Sequence, residues 1–327
     1  MKRRKPQKVE EPSKKRERIL FFDVVRILCV AIIFYVHCEF MDIDWFNKLI
    51  FPDGMGPFNI YSAGLEGYAV YGMIIVSGAV LEYNYQGLEK LHGYLQFLFR
   101  RFIRIYPAFW MSLIFGLIAF PKLWQISIPS LLFEFTGFFV VLGQGSGNIN
   151  NMGWFIATIV SLYLLFPLFS KIIRRYGMAA LVGFCFMSWG LRYFILTYNI
   201  VPINLFWRWF PLCNAFEFCL GIYLVQASLY PKTVNNSPII RELSDISYYV
   251  FLFHTLVIFY LGENFHEQLR VPILTLTFGN IFLGDLIYYL LVVFTTLAVS
   301  WVVMKIDNRF RVWILNRDTV RNFLNVK

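Results

Sequence analysis

The sequence predicts an all-α, polytopic membrane helical bundle of about eight to ten transmembrane helices, with both termini cytoplasmic. Three observations predict it. Of the 327 residues, 58% are hydrophobic and only 15% charged, where a soluble domain carries about a quarter charged residues. Apolar runs long enough to cross a bilayer recur along the whole chain. Most of these runs are apolar all round, without the polar stripe that a helix on a soluble core turns to water.

The elements follow in order. Residues 1–18 are basic and polar and contain no core-forming residue. They read as a disordered cytoplasmic tail that touches anionic lipid headgroups. No folded basic face or interleaved aromatic pattern accompanies the tail, which argues against nucleic acid as a partner. The next segment, about 19–41, is too long for a signal-peptide core and lacks a small-residue cleavage site, so it reads as a retained first span. Further apolar segments run over about 60–83, 102–121, 126–143, 152–171, 177–198, 206–228, 246–262 and 282–305. Without an internal repeat, 19–305 reads as one membrane domain, followed by a cytoplasmic or interfacial tail over 306–327. That tail mixes basic and aromatic residues and is expected along the inner membrane surface.

The net charge is +10, and its placement sets the topology. Basic residues in short loops stay cytoplasmic. This puts the N-terminal tail, Arg100–Arg104, Lys171–Arg175 and the stretch from Lys305 on the inner side. An even number of crossings must then join 100–104 to 171–175, and segments 102–121 and 152–171 already supply two. So 126–143, interrupted by Pro129, is a re-entrant or interfacial piece, or spans together with one further segment. The five cysteines sit mostly in apolar runs without zinc spacing and read as small packing residues. No disulfide and no metal is expected.

Ionisable residues inside spans are costly, and each is a functional candidate. The first span holds Asp23, Arg26, His37 and Glu39. Asp23 and Arg26 are three apart and can pair. Arg26 and His37 are eleven apart, close to three turns, so they share a face about 16 Å apart and look into one cavity. Imidazole there suits general-base chemistry near neutral pH. Glu39 points away, and Glu66, Glu134, Glu217 and Asp285 are other acids that could approach His37. Arg101 and Arg104, three apart at the start of a span, read either as topology anchors or as a pair gripping one polyanion. Asn148, Asn150 and Asn151 read as an ordinary polar turn, or as contacts to a sugar.

Five fragments then carry a resemblance: Asp23 to Arg26 with His37; Ile75 to Gly78; Arg101 to Pro107; Trp154 to Pro167; and Ile246 to His254. In this order and placement, over about 18–305, the chain resembles the acyltransferase-3 family, which includes bacterial O-antigen and wall-polysaccharide O-acetylases. It departs from the pattern in having Ala79 after the Ser-Gly element and Tyr71 six positions before Ser77. The resemblance implies a bundle of about ten spans that moves an acyl group, acetyl above all, from cytosolic acyl-CoA. The acceptor would be a hydroxyl or amine of a cell-envelope glycan or lipid-linked sugar. It implies that His37 is the catalytic base and that Arg26, Arg101 and Arg104 hold the acyl donor. Glu66, Ser77, Trp154 and His254 are expected to bind or orient the substrates. The competing expectation is a transporter of an acylated or polysaccharide product without chemistry of its own.

Overall fold

The protein is described here from a computed structural model. It describes residues 17–39, 58–85, 88, 90–139, 147–198 and 210–324. The greater part of the basic N-terminal tail lies outside these residues.

The described helices are α1 (Leu20–Glu39), α2 (Phe58–Asn84), α3 (Leu91–Ala119), α4 (Ile128–Thr136), α5 (Gly153–Tyr176), α6 (Met178–Tyr198), α7 (Ala215–Gln226), α8 (Pro238–Leu276), α9 (Ile281–Leu315) and α10 (Asp318–Leu324). Among the described residues the only extended pairing is one isolated bridge, Ile19 to Val234. Among the described residues, seven helices are long and apolar enough to cross a bilayer. Helices satisfy their own backbone groups, the one requirement a hydrocarbon environment does not relax. The chain is therefore a multi-pass membrane protein with a helical-bundle fold.

The described part of segment 126–143, residues 126–139, does not form a span. It holds α4, nine residues long and thus about 14 Å, well short of a bilayer core. Ser127 caps its first turn by accepting from the Ser130 amide, and Gly137 ends it at φ 73, where a left-handed backbone favours glycine. Of the expected segment 206–228, the described helical part is a 3-10 turn, Pro211–Asn214, leading into the twelve-residue α7.

Two expected boundaries also move. The third helix starts at Leu91, not near 102. Arg101 and Arg104 therefore lie inside the helix and line a cavity, where the sequence placed them at its mouth. The last long helix runs past Lys305 without a break to Leu315. The short α10 then folds back, so that the carbonyls of Phe323 and Leu324 accept from Gln96 and Arg100 of α3.

Close approach of backbones organises the bundle's middle. A Cβ on Gly78 of α2 would strike the carbonyl oxygen of Phe218, and a Cβ on Gly221 of α7 would strike that of Ile75. In lipid, helix association depends on such small-residue contacts, because lipid tails are as apolar as leucine. Gly78 in the Ser-Gly element is thus the point at which α7 docks.

The first and last described segments meet one polar face. The Leu20 amide donates to Thr233, and the Asn235 amide donates to Arg18. Gln226, at the end of α7, reaches Glu82 and Ser170, at the ends of α2 and α5. Asp307 of α9 meets Tyr249 of α8. With Arg100 and α10 alongside, this end of the bundle forms an arginine-rich face, toward which both described chain ends lie. Helices α1 and α8 run parallel from it, Arg26 beside Ser244 and, further in, His37 beside His254.

Candidate functional site

A buried polar knot sets the start of α1. Asp23 is 4% exposed, and its carboxylate accepts from Arg18 (2.7 Å), Asn235 (2.6 Å) and Ser244 (2.7 Å). Arg18 forks onward to both oxygens of Asp245. A buried carboxylate is tolerable only when its lone pairs are filled, and four donors from two chain segments fill these. The expected pairing of Asp23 with Arg26 is present but longer, 3.8 Å. Arg26 instead donates to the Ser244 hydroxyl at 3.0 Å, and that hydroxyl in turn donates a hydrogen bond to Asp23. Asp23 thereby orients Arg26 through Ser244.

Beside this knot opens a cavity of about 830 Å³, within the size range of small-molecule pockets. Arg26, Arg100, Arg101 and Arg104 line it, with Ser77, Tyr163, Ser247 and Tyr248. The three arginines of the expected donor site are therefore together. Arg101 donates to the Tyr85 hydroxyl (2.8 Å) and lies over the same ring at 4.8 Å. Among the described residues, no hydrogen bond fixes the Arg104 guanidinium. Ser77 donates to its own helix at Met73 and presents its side chain to the cavity. A cluster of guanidinium groups in a low-dielectric hollow suits a multiply charged phosphate ligand.

His37 does not line this cavity, so it does not share one with Arg26 as the helical spacing suggested. The physical reason lies at the inner end, which Val30, Met73, Phe155 and Phe251 close. The Phe155 and Phe251 rings meet at 4.9 Å. Beyond them His254 stands 6.1 Å from Phe251, and His37 stands 4.9 Å from His254. The cavity, the aromatic pair and the two imidazoles form a series along α1 and α8.

Both imidazoles are set by backbone. His37 Nδ1 lies 2.8 Å from the Ile33 carbonyl, and His254 Nδ1 lies 2.8 Å from the Phe251 carbonyl. A carbonyl can only accept, so each Nδ1 carries the proton, and in the neutral ring each Nε2 carries the lone pair. His254 is 1% exposed, and its Nε2 has no hydrogen-bond partner among the described residues.

The acids considered as partners of His37 are engaged elsewhere in two cases. Glu134 is 1% exposed and accepts from the backbone amides of Asn148, Ile149 and Asn150. Glu217 pairs with Arg192 at 2.8 Å, and Arg192 lies over Tyr71. Glu66 does not line the cavity. Of the three asparagines, Asn148 and Asn151 are exposed in a turn, whereas Asn150 is closed to a sugar. Asn150 is fully buried, donates to Ser112 and to the Leu252 carbonyl, and accepts from the Met152 amide. Glu134 and Asn150 together pin the entry to α5, where Trp154 is buried against Phe155.

Sequence reasoning did not single out Tyr85 or Ser244. Ser244 lies one turn before Ser247 and Tyr248 on the face of α8 that meets the cavity, a spacing that could have found it. Tyr85 follows the end of α2 and carries no such signal.

A family model, Acyl_transf_3, described as an acyltransferase domain, matches residues 19–236. The match covers α1 to α7 and stops before α8, so His254 lies beyond it. Neither a curated protein nor a solved structure matches the chain.

Proposed function

The chain belongs to the acyltransferase-3 family, and from that membership we propose that it transfers an acyl group, acetyl above all, from cytosolic acyl-CoA to a cell-envelope acceptor. The acceptor group is a hydroxyl or amine of a glycan or of a lipid-linked sugar. The protein works in the cell membrane with its arginine-rich face toward the cytoplasm, as the positive-inside bias favours.

The observation that carries this reading is the alignment of an arginine-lined cavity, an aromatic pair and two imidazoles along the parallel helices α1 and α8. Arg26, Arg101 and Arg104 bind the phosphates of the donor. The pantetheine arm extends along Ser77 and Tyr163 toward Phe155 and Phe251, and displacement of one ring brings the thioester to the imidazoles. His37 Nε2 then takes the proton of the acceptor hydroxyl as the oxygen attacks the thioester carbon. Collapse of the tetrahedral intermediate breaks the carbon–sulfur bond, and the proton leaves His37 to the thiolate. The Ile33 carbonyl keeps His37 in the tautomer this step requires.

The test is acyl transfer by purified protein from labelled acetyl-CoA to cell-envelope glycans, read by mass spectrometry. His37→Ala is expected to abolish the acyl mass gain and to keep donor binding. Full product formation in that variant sinks the proposal. Efflux of a product with no acyl transfer by either protein would establish a transporter instead.

A further inference from the structure

A second cavity, of about 580 Å³, lies on the far side of Arg104 and Tyr248, which line both hollows. Tyr248 is anchored in that wall by donating to the Ile105 carbonyl at 2.9 Å. The second cavity is a crevice between the start of α8 and the C-terminal part of α9, lined by Arg104, Arg241, Lys305 and Arg311 with Glu242 and Asp245.

Internal pairing removes part of this charge. Asp245 is gripped by Arg18, and Arg311 by Asp307 and the Tyr249 hydroxyl. With Arg104 committed to the first cavity, what remains is two cations, Arg241 and Lys305, against one carboxylate, Glu242. Arg241 is held in place by donating to the Asn235 carbonyl. The first turn of α8, at Pro238, also borders the crevice and adds the positive end of a helix.

Lys305 and Asn308 turn from the crevice into an adjoining groove of about 810 Å³ on the outward side of α9. That groove is apolar. Trp301, Val302 and Ile306 line it and are each about half exposed, at 48%, 50% and 52%. Lys305 stands 5.1 Å from the Trp301 ring, and Arg317 stands 4.2 Å from that of Trp313, an aromatic and basic pattern of a membrane interface.

We propose that the crevice and the groove together form a binding site for an anionic phospholipid. Its phosphate lies between Arg241 and Lys305, beside the first turn of α8, and its acyl chains lie along Trp301, Val302 and Ile306. Charge complementarity selects the anionic headgroup. Continuity with an outward-facing apolar groove selects a lipid over a soluble anion, which would leave that groove uncovered. The site stands apart from the donor cavity because the Arg104–Tyr248 wall separates them, so it is independent of the acyl-transfer reading.

The test is native mass spectrometry of the full chain taken from mixed phosphatidylglycerol and phosphatidylcholine micelles. Phosphatidylglycerol is expected to be retained in preference. Arg241→Ala with Lys305→Ala is expected to lower that enrichment about tenfold or more, at roughly fivefold per basic residue lost, with acyl-CoA binding unchanged. Arg241→Lys with Lys305→Arg keeps both charges and is expected to keep the enrichment. Equal retention of the two lipids by the parent protein overturns the proposal. So does undiminished enrichment in the alanine pair, or loss of enrichment in the charge-conserving pair. Displacement of the lipid by millimolar inorganic phosphate overturns it too, in favour of a free-anion site.

Discussion

The imidazole of His254 stands edge to face against that of His37, with ring centroids 4.9 Å apart and the planes at 81°. Each ring is tethered by a carbonyl of its own helix, four residues back for His37 and three for His254. A carboxylate is therefore not needed to choose the tautomer. What His254 adds is a second buried nitrogen lone pair beside the ring proposed to gain a proton.

His254→Phe keeps the ring and removes that nitrogen. The expected result is a fall in kcat of about tenfold to a hundredfold and a changed shape of the kcat–pH profile. KM for acyl-CoA should hold, because His254 lies beyond the aromatic pair. Steady-state rates across roughly pH 5 to 9 measure this. A profile that superimposes on that of the parent protein would leave His254 a packing residue.

Arg104 lines the cavity proposed to take the donor, and among the described residues no hydrogen bond fixes it. Arg104→Gln should raise the Kd for acyl-CoA by about tenfold and weaken its dependence on salt, as expected when one cation stops contacting phosphate. Titration calorimetry at two ionic strengths reads both effects. Dephospho and pantetheine-only donors should lose less affinity than the full nucleotide donor.

Gly78 has the Phe218 carbonyl where a Cβ would be. Gly78→Ala should force α2 and α7 apart at a cost of about 3 kcal/mol or more. A lower unfolding midpoint in detergent checks it. An unchanged midpoint would mean that α7 slides without loss.

Glu134 fills both carboxylate oxygens with backbone amides. Glu134→Gln exchanges one acceptor for a donor that faces an amide, so destabilisation of about 1–3 kcal/mol is expected. The melting temperature should fall, and limited proteolysis should cut first near residues 147–150.

Much of this was legible in the sequence, and the reasons are specific. Arg26, Arg101, Arg104 and His37 stood out because charge within an apolar run is costly and must be matched by something. The gathering of the three arginines around one cavity could be expected from helical spacing together with a shared leaflet, whereas His37 lies outside it. The early start of α3 at Leu91 was hidden because its first turns, with His92, Gln96 and Arg100, are polar. Their helical partner is α10, far along the chain. Glu134 looked like a candidate partner for His37 for a similar reason. Its three amide donors belong to a loop whose backbone groups leave no trace in side-chain composition. The aromatic pair was equally silent, since Phe155 and Phe251 are two of 36 phenylalanines.

That pair has a consequence for the cell as well as for the reaction. If donor and acceptor reach the protein from opposite sides of a bilayer, as proposed, it is one open channel away from short-circuiting the proton gradient across it. Phe155 against Phe251, with Val30 and Met73, makes an apolar septum at the inner end of the cavity. Ion tightness and turnover are then set by the same movement, so a looser septum would quicken transfer only by letting protons leak.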